Sequence, residues 1–230
     1  MIPKKIHYCW FGNKEKGKKE KLCIASWKKF CPDFEILEWN ENNFDLSTVP
    51  EFVKTAYDNK NFAYVSDYVR LAVLYKQGGV YMDTDVEVIK NLSGLLNSSA
   101  FFGFENDEFV NTGQMAASEV EHPCLKAMMD IYEKASFFNE DGSRNMLGCP
   151  IVNTQALEEF GLDKNGKEQL LQTNIHIYPS DYFNPYNSVT DVLEITANTY
   201  SIHWYTMSWL SPAKRLRAKL LRPVHRLLGR

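Results

Sequence analysis

Apolar and polar positions alternate with a period of two over KKIHYCWFG (4–12). There Ile6, Tyr8 and Trp10 interleave with His7 and Cys9, and Gly12-Asn13 closes the run. This pattern predicts a strand and a turn. Residues 14–30 are rich in lysine, and Leu22, Ala25 and Trp27–Phe30 form a stripe at helical spacing. FEILEWN (34–40) alternates again and predicts a second strand, and Pro50 opens a helix running to about Lys60, since proline suits a first helical turn. NFAYVSDYVRLAVLYKQGG (61–79) predicts the clearest helix, capped by Asn61 and ended by Gly78-Gly79. It is apolar nearly all round, which means burial on most sides. Ser66, Asp67 and Arg70 are the polar residues over its central turns.

A strand follows over 80–88. SAFFGFEND (99–107) predicts a further strand and turn, HPCLKAMMDIYEKASFF (122–138) a helix opened by His122-Pro123, and GCPIVNTQALEEFG (148–161) a turn into a helix. IHIYPSDYFNPY (175–186) reads as a strand and an aromatic, proline-rich loop, and TYSIHWYTMSW (199–209) as a last strand and loop. Strand–helix alternation through the first half predicts the α/β class with a largely parallel or mixed sheet. The predicted organisation is one domain over 1–211 and a basic tail over 212–230.

Composition changes this picture little. A chain of 230 residues with 44% apolar and 24% charged residues suits a single globular domain. Five scattered cysteines, without a Cys-x-x-Cys pair or a secretory signal, predict buried thiols in a reducing cytosol. No apolar run reaches the length of a membrane span.

Charge changes it more. The net charge is −3, but residues 214–230 hold seven Lys/Arg and no acid, so the rest of the chain stands at −10. In that tail Leu216, Leu220, Val224, Leu227 and Leu228 fall at helical spacing among the cations, with Pro223 a kink. The pattern is that of a helix lying on an anionic membrane face; packing on the body or on another subunit is the alternative. An acidic body argues against nucleic acid as a partner.

The candidate chemistry lies in GGVYMDTDVEV (78–88), where Asp83, Asp85 and Glu87 occupy every second position of a run that otherwise reads as core. On a strand these share one face. Burying such carboxylates unpaired costs several kcal/mol each, so they must be solvated, paired or bound to a cation. A ligand site and an exposed strand end both satisfy that condition. Hard oxygen donors suit Mg²⁺ or Mn²⁺. Same-face residues of a straight strand are roughly 6.5–7 Å apart. Without a bend, then, one ion would take Asp85 directly and reach Asp83 only through water or a sugar hydroxyl. Asp67 and Arg70, three apart on the preceding helix, form either an ion pair on that helix or a pair aimed at the same cleft.

IPKKIHYCWFG near the start, FAYVSDYVRLAVLYKQGGVYMDTDV in the middle and SIHWYTMSW near the end together resemble the family 32 glycosyltransferases. These are Asp-x-Asp enzymes that include bacterial capsule and surface-polysaccharide transferases and are related to the glucosylating domains of clostridial toxins. The resemblance spans about residues 2–209. It implies a GT-A fold, a Rossmann-like mixed sheet flanked by helices, with Mn²⁺ or Mg²⁺ under the donor diphosphate. It implies a nucleotide-sugar donor, UDP-hexose above all, and a saccharide acceptor; attachment of the tail to the inner leaflet would put that enzyme where a lipid-linked acceptor sits. Residue by residue, Trp10 resembles the aromatic that stacks on the donor base. Ser66, Asp67 and Arg70 resemble the group on ribose and sugar, and Asn111 of FVNTGQMAA the amide beside the donor sugar. Asp83 resembles the first acid of the motif, close to sugar and metal, and Asp85 the metal ligand. His203 resembles a further ligand, and Ser208 and Trp209 the loop over the diphosphate. The catalytic group so implied is Asp67, Arg70, Asp83 and Asn111, and retention of anomeric configuration is the implied outcome. The expected location is cytoplasmic, peripheral on the inner face of the plasma membrane through 214–230.

Two other classes fit parts of the sequence. DTDV matches the start of the Asp-x-Asp phosphohydrolases, but no later Gly-Asp-x-x-x-Asp stretch accompanies it. A non-catalytic nucleotide-sugar-binding module would carry the same stacking and acidic residues.

Overall fold

In a computed structural model the fold is described for residues 1–206; the tail and the positions Ser208 and Trp209 lie outside the described residues. Three strands begin the main sheet: β1 (Lys5–Cys9), β2 (Glu35–Trp39) and β3 (Gly79–Tyr81). Both neighbours pair with β1 in parallel. β5 (Ala100–Gly103) and β6 (Ala116–Ser118) are antiparallel to each other, and β6 is antiparallel to β3. β7 (Gln169–Leu171) and β8 (Ile175–Tyr178) complete seven strands in the order β2-β1-β3-β6-β5-β8-β7. The α/β class and mixed sheet match the expectation from sequence.

Helices cover both faces because successive strand residues point to opposite sides. Tyr81, Phe102, Ala116 and Ile177 join a core with α2 (Glu51–Asp58), α3 (Phe62–Gln77), α4 (Pro123–Lys134) and α5 (Cys149–Glu158). Val80, Met82, Phe101 and Ala117 pack on the other side with Trp27 and Cys31, from α1 (Lys18–Phe30) and the residue after it. The short helix α6 (Ser180–Phe183) adds Phe183 to this second core. Among the described residues no helix is long and apolar enough to cross a membrane.

Helix α3 ends where expected: Gly78 has φ 62° and Gly79 φ 108°. A Cβ on Gly79 would stand 2.9 Å from the Lys5 carbonyl oxygen, so glycine lets β3 enter the sheet directly after the helix. At its other end Asn61 occupies the N-cap position without a side-chain cap. Its Oδ1 instead accepts from Arg144 Nη1 at 2.8 Å. On α1 the stripe is shifted: Cys23 and Trp27 are buried, whereas Leu22 is 57% exposed.

The main correction concerns the acidic strand. It is not continuous over 80–88: β3 stops at Tyr81 and β4 (Val86–Val88) begins after a turn closed by Val86 N–H to the Asp83 carbonyl at 3.0 Å. β4 then leaves the large sheet and pairs antiparallel with β11 (Ser201–His203), His203 opposite Val86. The strands β6 and β7 and the short hairpin of β9 (Tyr186–Asn187) with β10 (Val192–Leu193) have no counterpart in the sequence-based reading.

Candidate active site at the carboxyl end of strand β3

The broken strand brings its acids together. Ligand atoms of Asp83, Asp85 and His203 lie within 4.8 Å of one another, closer than same-face carboxylates on a straight strand would sit. The bend permits both aspartates and a histidine to face one point, where the straight strand would have offered Asp85 alone. Glu87, the third acid of the alternation, is not in this group: its Oε2 accepts from Trp204 Nε1 at 2.8 Å.

Each residue of the trio is held by a different element. Asp83 follows β3 and is anchored through its N–H to the Gly113 carbonyl at 2.8 Å. Its Oδ1 accepts from Arg70 Nη2 and Tyr81 Oη, both at 2.9 Å. Asp85 lies in the turn; its Oδ2 accepts from the Thr206 N–H at 2.8 Å and Thr206 Oγ1 at 3.1 Å, and its Oδ1 is 3.4 Å from His203 Nε2. His203 ends β11 and is buried, with its Nδ1 lacking a hydrogen-bond partner among the described residues.

Electrostatics follow from this wiring. Burial alone would raise the Asp85 pKa, but His203 and the Thr206 donors overcome it and hold the carboxyl at about 2. Burial would lower the His203 pKa, and Asp85 beside it raises it instead. For Asp83 burial prevails over the pull of Arg70, and its pKa is raised. Two carboxylates and one imidazole, with an unpartnered buried nitrogen, form a hard oxygen–nitrogen donor set that fits Mn²⁺ or Mg²⁺ better than a soft metal.

Arg70 is the hub behind the trio. On α3, and 2% exposed, it pairs with Asp67 Oδ1 at 3.0 Å and Asp83 Oδ1 at 2.9 Å. Its guanidinium lies 4.9 Å from the Tyr81 ring centroid and donates toward Cys149 Sγ at 3.1 Å. The ion pair on the helix is therefore present, and Arg70 links it to Asp83. Burial pushes the Asp67 carboxyl up to about 6 against the opposing pull of Arg70.

Asn111 lies on the same side. Its Oδ1 accepts from the Gly113 N–H at 2.7 Å and from the Cys149 thiol at 3.3 Å, and its Nδ2 donates to Glu105 Oε2 at 3.2 Å. Gly113 must be glycine: a Cβ there would stand 2.4 Å from Asp83 Oδ2 and 3.0 Å from Asn111 Oδ1. Glu105 Oε1 in turn accepts from Tyr205 Oη at 2.9 Å, and the Tyr205 ring packs on His203 with centroids 3.9 Å apart.

The remaining sequence candidates lie at the periphery. Trp10 follows β1, beside the strand that leads to Asp83; it is half-buried, its Nε1 donates to the Lys14 carbonyl at 2.5 Å, and Lys16 Nζ lies 5.5 Å from its ring centroid. Ser66 is half-buried on α3 next to Asp67. The structure thus brings Asp67, Arg70, Asp83, Asp85, Asn111 and His203 into one network. Sequence reasoning missed Tyr81, Glu105, Gly113, Cys149, Tyr205 and Thr206. Of these, Tyr81 and Thr206 sit two or three residues from recognised positions, whereas Glu105 and Cys149 have no local signal.

Known proteins are similar to parts of this chain in sequence and in fold. Residues 17–102 match the model of the glycosyltransferase sugar-binding region containing DXD motif. The chain is 26% identical over 204 residues to a glycosyltransferase of Acanthamoeba polyphaga mimivirus, covering 83% of this chain and 76% of the relative. It is 35% identical over 131 residues to inositol phosphoceramide mannosyltransferase 3 of Schizosaccharomyces pombe, covering 54% of this chain and only 35% of that protein's length. The solved PaToxG glycosyltransferase superposes with TM-score 0.55 at 22% identity over 69% of this chain and 68% of its own, a likeness of fold. Over residues 17–102 the chain is thus similar to the DXD-containing sugar-binding region of glycosyltransferases, and its mixed α/β sheet has the fold of a solved glycosyltransferase, the GT-A type.

Proposed function

We propose that the protein is a metal-dependent, retaining glycosyltransferase that moves a hexose from a nucleotide sugar, a UDP-hexose, to a saccharide acceptor in surface-polysaccharide synthesis. The observation that carries this reading is the convergence of Asp83, Asp85 and His203 at a turn backed by Arg70. Donor identity, retention and the polysaccharide role rest on the resemblance of the sequence. So does the location, cytoplasmic and peripheral on the membrane through residues 214–230, with a lipid-linked acceptor.

Asp83, Asp85 and His203 would hold a divalent ion, which when bound would supply Lewis-acid neutralisation of charge on the donor diphosphate. The protein's own residues set the stage for that charge. Arg70 fixes Asp83 and Asp67 in one orientation, so neither carboxylate has to reorganise when the donor arrives. Asp67 and Ser66 face ribose and sugar hydroxyls, Asn111 the sugar on the other side, and Trp10 the base. Ser208 and Trp209, outside the described residues, are assigned to the donor diphosphate by the resemblance of the sequence alone.

The test is a thermal-shift and calorimetric screen of UDP and GDP sugars, each with Mn²⁺ and with chelator, on the wild type and Asp85→Ala. Metal-dependent stabilisation by one nucleotide class, lost in the variant, supports the reading and names the donor. A folded protein that responds to no nucleotide, or that hydrolyses a generic phosphomonoester through Asp83, overturns it.

A further inference from the structure

Helix α1 buries one side and presents a second, differently composed side to solvent. Cys23 and Trp27 face the core, and Glu20, the one carboxylate of the helix, is buried with them. The exposed positions are Lys18, Lys21, Leu22, Ala25, Lys28 and Lys29. They recur at three- and four-residue spacing, so they form one continuous stripe along the helix. It carries four lysines and no acid on a chain whose residues 1–213 are net acidic. Neighbouring carboxylates are already engaged: Asp33 with Lys4 at 2.5 Å, and Glu87 with the Trp204 indole at 2.8 Å.

Two further observations give the stripe a direction. Leu22, 57% exposed, stands among the lysines, where a purely electrostatic surface has no use for an apolar side chain. And the aromatic residue that follows β11 lies against this helix: Lys19 Nζ is 3.5 Å from the Trp204 ring centroid, so the lysine side of α1 is continuous with a half-buried contact between a cation and an aromatic ring.

We propose that the exposed face of α1 is a docking surface for an anionic lipid bilayer, with the lysines over the headgroups and Leu22 entering the interface. This goes beyond the proposed transfer reaction, whose residues lie elsewhere, and beyond the membrane role expected of the tail. Lysines close to an anionic leaflet each strengthen adsorption several-fold, and salt weakens it. A bilayer accounts for Leu22 as well as for the charge; a nucleic acid accounts only for the charge.

The full-length protein is sedimented with phosphatidylcholine vesicles containing or lacking phosphatidylglycerol, at low and high salt. The wild type, Lys18→Glu/Lys21→Glu/Lys28→Glu/Lys29→Glu combined, and Leu22→Ser are compared, with thermal melting as the folding control. Binding that requires phosphatidylglycerol, falls about tenfold or more in the four-lysine variant and several-fold in Leu22→Ser is the expected result. Equal binding of wild type and variants would assign all adsorption to the tail and overturn the proposal. So would no vesicle binding by the wild type, or a stronger preference for duplex DNA than for vesicles. Mn²⁺-dependent nucleotide binding remains intact in both variants whichever way this test falls, which separates it from the test of the reaction.

Discussion

Tyr205 Oη donates to Glu105 Oε1 at 2.9 Å, and the other oxygen of that carboxylate accepts from Asn111 Nδ2 at 3.2 Å. One side chain thus joins the segment after β11 to the Asn111 amide. Tyr205 holds this position with φ 46°, a left-handed conformation that costs a non-glycine residue about 1 kcal/mol or more. Tyr205→Phe keeps the ring on His203 and removes only the bond. Its expected effect is a fall of about tenfold in kcat for transfer with donor KM nearly unchanged, since an orienting contact is lost and no donor contact is. Steady-state kinetics beside a thermal melt checks it, and a lower Tm with full activity would assign the bond to stability alone.

Gly113 is the tightest point of the site, with space for no Cβ between Asp83, Asn111 and Arg70. Gly113→Ala must displace Asp83 or the loop itself, at a cost of roughly 1–3 kcal/mol. Urea denaturation gives the stability loss. A Mn²⁺ titration of the same variant is expected to show weakened binding.

Metal binding itself is testable without any donor. Free Mn²⁺ measured by electron paramagnetic resonance during titration reports binding to the protein alone. Asp85→Asn removes a charge that its surroundings hold ionised down to about pH 2, and it is expected to abolish binding. His203→Gln is expected to weaken binding about tenfold or more. Wild-type affinity in both variants would place the ion elsewhere.

His7 gives a pH prediction away from that chemistry. It is buried, donates from Nε2 to the Gly78 carbonyl at 2.8 Å and accepts at Nδ1 from the Trp39 indole at 3.1 Å. Burial is the main reason its pKa falls from 6.5 to about 4. A neutral folded histidine that protonates in the unfolded chain makes stability rise with pH. The contribution is present in full above about pH 6.5 and is lost as pH falls toward 4, amounting to about 3 kcal/mol. The difference in unfolding free energy between wild type and His7→Gln, measured by urea melts between these limits, should narrow as pH falls. A difference independent of pH would contradict this account.

Much of this was legible in the chain. The run from Asn61 to Gly79 declared a buried helix, and the glycine pair its end, because apolar periodicity and left-handed backbone are local properties. The family-like blocks placed Asp67, Arg70, Asp83, Asp85 and His203, all of which meet. What periodicity got wrong was the strand through the acids. Alternation in sequence survives a turn, and the turn is imposed by distant partners, the Gly113 carbonyl and the strand β11. Glu105 and Cys149 were invisible for the same reason: their partners lie 100 residues away at Tyr205 and 79 at Arg70. The cap that Asn61 declined was lost to Arg144, 83 residues on.

The break after Tyr81 has a mechanical side. Asp83 is fastened to the seven-stranded sheet through Gly113 and Arg70, while Asp85 is fastened through Thr206 to the chain that continues the two-stranded β4–β11 ribbon. The candidate ligands therefore sit on either side of a single turn, Asp83 on the sheet side and Asp85 on the ribbon side, above a core the two share through Val80, Met82, Val86 and Val88. Any tilt of the ribbon against the sheet changes the spacing of the two carboxylates. An ion held by both would act as a rivet between ribbon and sheet across that turn.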